Sequence, residues 1–194
     1  MSELAKKSAT YEDLYKIPDN MIGEIIDGEL IATPRPAPKH ARATTVLSNI
    51  IGPSYDRFGE GGGPGGWIFL YEVEIKLGEH ILVPDLAGWK QERFPTEIEH
   101  NWIPVAPDWI CEFLSPATLR TDKIKKMPVY AQFGVAYAWL IDPRDKTLDI
   151  YSLESGRWSL LGSFVENDKV RAEPFLEIEI NLADLWLESG LSRK

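Results

Sequence analysis

Two acids stand where core side chains belong. In "VPDLAGW" the alternation of a strand puts Val83, Asp85 and Ala87 on one face, and in "WICEFLSP" it puts Ile110, Glu112 and Leu114 on one face. Both carboxylates are therefore set into apolar patterns rather than into exposed charged runs. A buried carboxylate is costly unless it is paired or bound to a metal. If the two strands are neighbours, Asp85 and Glu112 converge, and a divalent cation would relieve their repulsion. Oxygen-only ligands of this kind favour Mg²⁺ or Mn²⁺ over softer metals. The plain alternative is that each acid sits at a strand end and pairs with Arg or Lys.

Directly after the second of these strands comes "SPATLRTDKIKKMPVYAQFGV", with Arg120, Lys123, Lys125 and Lys126 clustered in an otherwise acidic chain. Such a run is usually a solvated face. Beside a metal-holding acid pair it would supply what phosphodiester hydrolysis needs, a cation near the attacking water and the developing phosphorane charge. Arg35, Lys39, His40 and Arg42 make a second basic patch at the start of a helix, where backbone N–H groups welcome a phosphate.

Other chemistry is excluded by context. Gly61, Gly63 and Gly66 satisfy the count of a dinucleotide fingerprint, but a strand, "WIFLYEVEI", follows them instead of a helix, and no Lys-Ser/Thr pair makes a phosphate loop. His40, His80, His100 and Cys111 lack zinc spacing. Cys111 lies inside an apolar strand and reads as a small core residue. A glycosidase-like acid pair would leave the basic run idle and lacks an aromatic-rich sugar cleft.

The elements that must position these residues are legible in outline. "TYEDLYKIP" predicts a short helix with Thr10 as its N-cap, and "MIGEIIDGELIATP" a hairpin turning at Asp27-Gly28. "KHARATTVLSNIIGPSY" has helical spacing and is expected to end at Gly52-Pro53. "RFGEGGGPGG" is a loop, and "WIFLYEVEIKL" and "HILVPDLAGW" read as strands joined at Gly78-Glu79, the second with a fault where Pro84 interrupts the ladder and Asp85 must leave it. A polar link spans about 90–107. The strand "DWICEFLSP" follows, then a short helix in "KKMPVYAQFGV" with Pro128 in its first turn and Gly134 as its stop. "AYAWLID", "TLDIYSL" and "RWSLLGSF" are strands, and "INLADLWLE" is expected to close the chain as a helix capped by Asn181.

The chain of 194 residues, 44% of them hydrophobic and with seven each of Trp, Tyr and Phe, suits one mixed α/β domain with a substantial core. We expect a flexible segment over 1–9, the domain over 10–188 and a tail over 189–194. A net charge of -9 and a pI near 4.9 argue against a generally basic nucleic-acid coat, but not against a nuclease whose basic contacts are local. One cysteine permits no intrachain disulfide, and the start "MSELAKKSAT" has no apolar leader. These features predict a cytoplasmic protein without a membrane partner.

Four stretches, in order from near residue 10 to near residue 187, carry a family resemblance. "GEIIDGELIATPRPAPKHARA", "VPDLAGW", "WICEFLSPATLRTDKIKKMPVYAQFGVAYAWLIDP" and "EPFLEIEINLADLW" resemble the Uma-two family of endonucleases in the PD-(D/E)XK restriction-endonuclease-like superfamily. The resemblance implies a mixed β-sheet flanked by helices, and DNA cleavage with Mg²⁺ or Mn²⁺ by a homodimer. It implies Asp85 and Glu112 as metal ligands, with the Phe113 carbonyl a third. The superfamily's usual lysine would fall at position 114, where this chain has Leu114. The family's D-x-x-x-K-x-x-x-Y element, matched by Asp122, Lys126 and Tyr130, supplies it instead, so Lys126 becomes the expected catalytic cation and Lys123 or Lys125 its fallback. Glu24 matches an acid that holds water or the lysine, and His40 a histidine that could touch a phosphate. Ala136, Tyr137 and Ala138 replace the family's Pro, Glu and Tyr on a strand past the site. The competing reading is a dimeric, non-catalytic nucleic-acid-binding or regulatory module that kept the nuclease fold, which the acidic net charge favours.

Overall fold

A computed structural model describes residues 8–56 and 63–187. Most of the expected flexible start, the first half of the glycine loop and the C-terminal tail lie outside the described residues. Thr10 opens the first helix, α1 (Tyr11–Leu14), and the Asp13 carboxylate accepts from the Thr10 backbone N–H at 2.9 Å. Strands β1 (Met21–Ile26) and β2 (Glu29–Pro34) form the expected hairpin. Its turn residues Asp27 and Gly28 have φ of 51° and 72°, the left-handed pair that matches strand twist.

Helix α2 (Pro38–Tyr55) starts with Pro38, whose missing N–H costs nothing at a helix start. It does not stop at Gly52-Pro53 as the sequence predicts. Pro53 lies inside the last turn, and the Asp56 N–H still closes on the Gly52 carbonyl at 2.8 Å. Ala43, Leu47, Ile51 and Tyr55 are buried, and this face outweighs one lost hydrogen bond.

The two long strands expected over 67–77 and 80–89 are each broken in the middle. The first is β3 (Trp67–Tyr71) and β4 (Glu74–Leu77); the second is β5 (His80–Leu82) and β6 (Leu86–Lys90). The breaks are at the same level, because each chain leaves one sheet and enters another there. One sheet has the order β2-β1-β5-β4-β7, where β7 (Trp102–Ile103) is a short strand inside the expected polar link. The second has the order β11-β10-β9-β8-β6-β3. It contains β8 (Trp109–Phe113), β9 (Tyr137–Asp142), β10 (Thr147–Glu154) and β11 (Arg157–Val165). Strands β8 and β9 run parallel, while β6 and β8 are antiparallel.

Between β8 and β9 lies helix α3, residues 119–132, longer than the sequence predicts. It is built from Leu119–Thr121, a wide π turn over Asp122–Lys126, and Met127–Gln132. Pro128 has no N–H for the carbonyl four residues back, and the turn before it widens accordingly.

The ending also differs from expectation. β12 (Lys169–Ala172) and β13 (Phe175–Asn181) form a separate hairpin, and the predicted closing helix is only a 3₁₀ turn, Leu182–Leu185. The cap itself is where the sequence puts it: Asn181 Oδ1 accepts from the Ala183 N–H at 3.3 Å.

The six-stranded sheet is covered on both faces. One face meets α2 and the β12–β13 hairpin through Trp109, Cys111, Phe113, Trp139 and Phe175. The other meets the five-stranded sheet and α3 through Trp89, Ile110, Leu140, Val129 and Tyr130. No described helix is long and apolar enough to cross a membrane.

Candidate active site

The break in the second long strand is where Asp85 sits. The β6–β8 register pairs Leu86 with Cys111, and one further step brings residue 85 beside residue 112. Pro84, lacking an N–H, ends the ladder there, and the chain turns so that the Asp85 carboxylate points at β8. Its Oδ2 accepts from the Phe113 N–H at 2.7 Å, and its Oδ1 lies 2.8 Å from His40 Nε2. The Asp85 N–H reaches Glu112 Oε2 at 3.4 Å. Two acids 27 residues apart in the chain are thus neighbours.

Glu112 is 1% exposed on an entirely buried strand, and its environment is built by α3. Asp122, Lys126 and Tyr130 repeat at four-residue spacing, so one helix face presents all three. Tyr130 donates to Glu112 Oε1 at 2.7 Å, and Lys126 Nζ lies 2.8 Å from the same oxygen. Lys126 Nζ also meets Glu24 Oε1 at 3.1 Å, Asp122 Oδ1 at 3.7 Å and the Val83 carbonyl at 3.0 Å. Glu24, in β1, accepts from the Val83 N–H at 2.8 Å, which ties the first sheet to the strand break. Glu24, His40, Asp85, Glu112, Asp122 and Lys126 face a cavity of about 320 Å³, closed on one side by residues 34–37 and on the other by residues 115–118.

The electrostatics are lopsided. Burial pushes the Glu112 carboxyl well above the usual range; Lys126 pulls it down, but Asp122, Asp85 and Glu24 push it up again. Asp122 is raised to about 6, again by burial first and against the pull of Lys126. Burial works against the Lys126 ammonium, yet Glu112 and Glu24 outweigh it and hold its pKa well above the ordinary value. Tyr130, raised by burial and then by Glu112, keeps its proton and donates it. One ammonium stands against four carboxylates. The cluster is short of positive charge.

Comparison with known proteins identifies the family. Residues 9–184 match the model of the family Uma2, described as "Putative restriction endonuclease". The chain belongs to the Uma2 family. Its fold is similar to the crystal structure of a protein from Anabaena variabilis ATCC 29413, titled "a putative nuclease belonging to DUF820". The TM-score is 0.71 at 25% identity, over 92% of this chain and 97% of that one. A search of curated proteins finds no match.

For this Uma2 chain the structure brings all five expected site residues to one place: Asp85, Glu112, Lys126, Glu24 and His40 line the same cavity. It also separates the lysines. Lys125 turns outward to Glu29 at 2.7 Å and Lys123 is exposed, while Lys126 is 2% exposed. His40 bonds directly to Asp85, a contact across 45 residues that nothing in the local sequence signals. Asp122 and Tyr130 belong to the cluster as well, and their helical spacing around Lys126 was the available signal. Cys111 is fully buried in the core, as expected.

The donor set fits a hard divalent cation. Asp85 and Glu112 offer oxygen only, and the excess of carboxylates over ammonium asks for added positive charge. Among the described residues no group of three or more His, Cys, Asp and Glu side chains is arranged to hold a metal. A cation here would complete its shell with carbonyl, water and phosphate oxygens, which is the habit of Mg²⁺ rather than of a caged structural ion.

Proposed function

We propose that this protein is an endonuclease that hydrolyses DNA phosphodiester bonds with Mg²⁺ or Mn²⁺. The observation that carries the reading is the meeting of Asp85, Glu112 and Lys126 at a single cavity, from three separate segments of the chain. Asp85 and Glu112 would hold the ion, with the Phe113 carbonyl as a third ligand. When bound, the ion supplies positive charge at the scissile phosphate and makes nearby water more acidic.

The chain's own residues do the rest. Lys126 keeps its proton, so it acts as a donor and a charge, not as a base. Held by Glu24, Glu112 and the Val83 carbonyl, it orients the attacking water and stabilises negative charge as the P–O bond forms. His40 fixes the Asp85 carboxylate, whose other oxygen is held by the Phe113 N–H. The cavity mouth at Arg35 and the start of α2 receives the phosphate. From the family resemblance we take the working form to be a homodimer.

The test is cleavage of labelled DNA in Mg²⁺ and in Mn²⁺. Wild type cuts, and Asp85→Ala and Lys126→Ala do not, with circular dichroism spectra unchanged. Equal cleavage by all three removes the proposal. Calorimetric titration with Mn²⁺ separates it from the non-catalytic reading, which gives no reason for Asp85→Ala to lose metal binding.

A further inference from the structure

The mechanism leaves Tyr71 unused. The residue is 74% exposed, yet it ends β3 immediately beside Asp85. The β3–β6 register closes at Tyr71 opposite Leu86, and the Glu72 N–H donates to the Asp85 carbonyl at 3.3 Å. Glu72 has a φ of 46°, a left-handed conformation that side chains other than glycine rarely adopt. That strained residue separates β3 from β4 at the level of the site, and strain of this kind concentrates where function needs a fixed geometry.

Tyr71 lines a second cavity, of about 400 Å³. The two cavities share Pro36, His40 and Asp85, so the Asp85–His40 pair faces both. The Arg35–Glu72 ion pair, at 3.3 Å, links a residue of the first cavity to one of the second.

The walls differ in chemistry. The first cavity contains Lys126 and the start of α2. The second is walled by α2 hydroxyls whose protons are already committed: Thr44 donates to the His40 carbonyl at 3.1 Å, Thr45 to Ala41 at 2.8 Å and Ser48 to Thr44 at 2.9 Å. Those oxygens have only lone pairs left to offer, as do the Glu72 and Asp85 carboxylates, and Asn49 adds an amide that can both donate and accept. Such a mostly accepting wall disfavours phosphate and suits the mixed N–H and C=O edge of a nucleobase. A base offers its Watson–Crick N–H groups only when it is unpaired. The exposed tyrosine supplies what a free base then needs, a face to stack on.

We propose that the second cavity takes the base next to the scissile phosphate, unpaired and stacked on Tyr71, so that the substrate is single-stranded or locally unpaired nucleic acid. This rests on the nuclease reading above.

The experiment compares one sequence as a single strand, as a duplex, and as a duplex with a single-stranded flap, each cut by wild type, Tyr71→Ala and Tyr71→Phe in Mn²⁺. We expect kcat/KM at least tenfold higher on the single strand and the flap than on the duplex. Tyr71→Ala should raise KM on the unpaired substrates about tenfold, the scale of one lost base–aromatic stack, with kcat nearly unchanged. Tyr71→Phe should behave as wild type, because stacking needs the ring and not the hydroxyl. Preference for the duplex, or an unchanged KM in Tyr71→Ala, overturns this inference and leaves the nuclease reading standing. No cleavage of any of the three overturns both.

Discussion

The two faces of β8 are equally buried and chemically opposite. Trp109, Cys111 and Phe113 point toward α2 into a largely apolar layer, where Phe175 packs edge-on against Tyr55, Trp67, Trp109 and Trp139. Ile110, Glu112 and Leu114 point the other way, and in the middle of that face a carboxylate, an ammonium and a phenol are packed together. One strand therefore serves as both scaffold and site. The apolar face gains stability from area removed from water. The charged face gains little, because desolvating ions offsets most of their attraction. What makes it tolerable is that Glu112, Lys126 and Tyr130 each have a partner, and what makes it useful is the shortage of positive charge left over.

The largest effect should come from breaking the charged face. Lys126→Met leaves Glu24, Glu112 and Asp122 without their cation, and loss of one partner from a buried pair costs about 3–5 kcal/mol. We expect denaturant unfolding to record that loss, and cleavage to fall below detection even where the protein remains folded. Phe175→Ala should cost a comparable ~3–5 kcal/mol through the cavity it leaves. There, however, cleavage per folded molecule should stay within a few-fold of wild type. If Phe175→Ala abolished cleavage in protein shown to be folded, the division of labour between the two faces would be wrong.

How much of this was legible depends on how local the cause is. The Asp27-Gly28 hairpin and the Thr10 and Asn181 caps are set by neighbouring residues, and they stand where the pattern puts them. Strand parity correctly put Glu112 on the same face as Ile110 and Leu114. The break at Pro84–Asp85 was legible, because a residue that cannot donate to a ladder is followed by an acid in an apolar strand. The matching break at Glu72–Val73 was not, because it arises where two paired strands change sheets, and "WIFLYEVEIKL" alone reads as one continuous strand. Pro53 misleads for a similar reason, since the buried face of α2 carries the helix past it. The β12–β13 hairpin went unrecognised although "FLEIEIN" alternates acids with apolar residues, because the groups that cover its apolar face, Tyr55 of α2 and Trp67, Trp109 and Trp139 of the six-stranded sheet, come from distant parts of the chain. At the site, residue types and family resemblance pointed to Asp85, Glu112 and Lys126. The bond between His40 and Asp85 exists only in three dimensions.

The remaining two tests are smaller and sharpen the contrast. If the charged face lacks a cation, then Mg²⁺ or Mn²⁺ should stabilise the protein, by about 2.7 kcal/mol at a hundredfold excess over its Kd. A thermal melt should register this in wild type and in Phe175→Ala, but not in Asp85→Asn. The smallest effect is expected one residue from the largest. Lys125 pairs with Glu29 at 2.7 Å, with side chains 38% and 50% exposed, and exposed pairs are worth about 0–1 kcal/mol. Lys125→Met should therefore leave both the melt and the cleavage rate nearly unchanged. The two lysines have the same chemistry and adjacent positions, and differ only in which way the widened turn of α3 aims them. A large loss of cleavage in Lys125→Met would mean that the turn moves when substrate binds, and that the inward lysine is not fixed by burial alone.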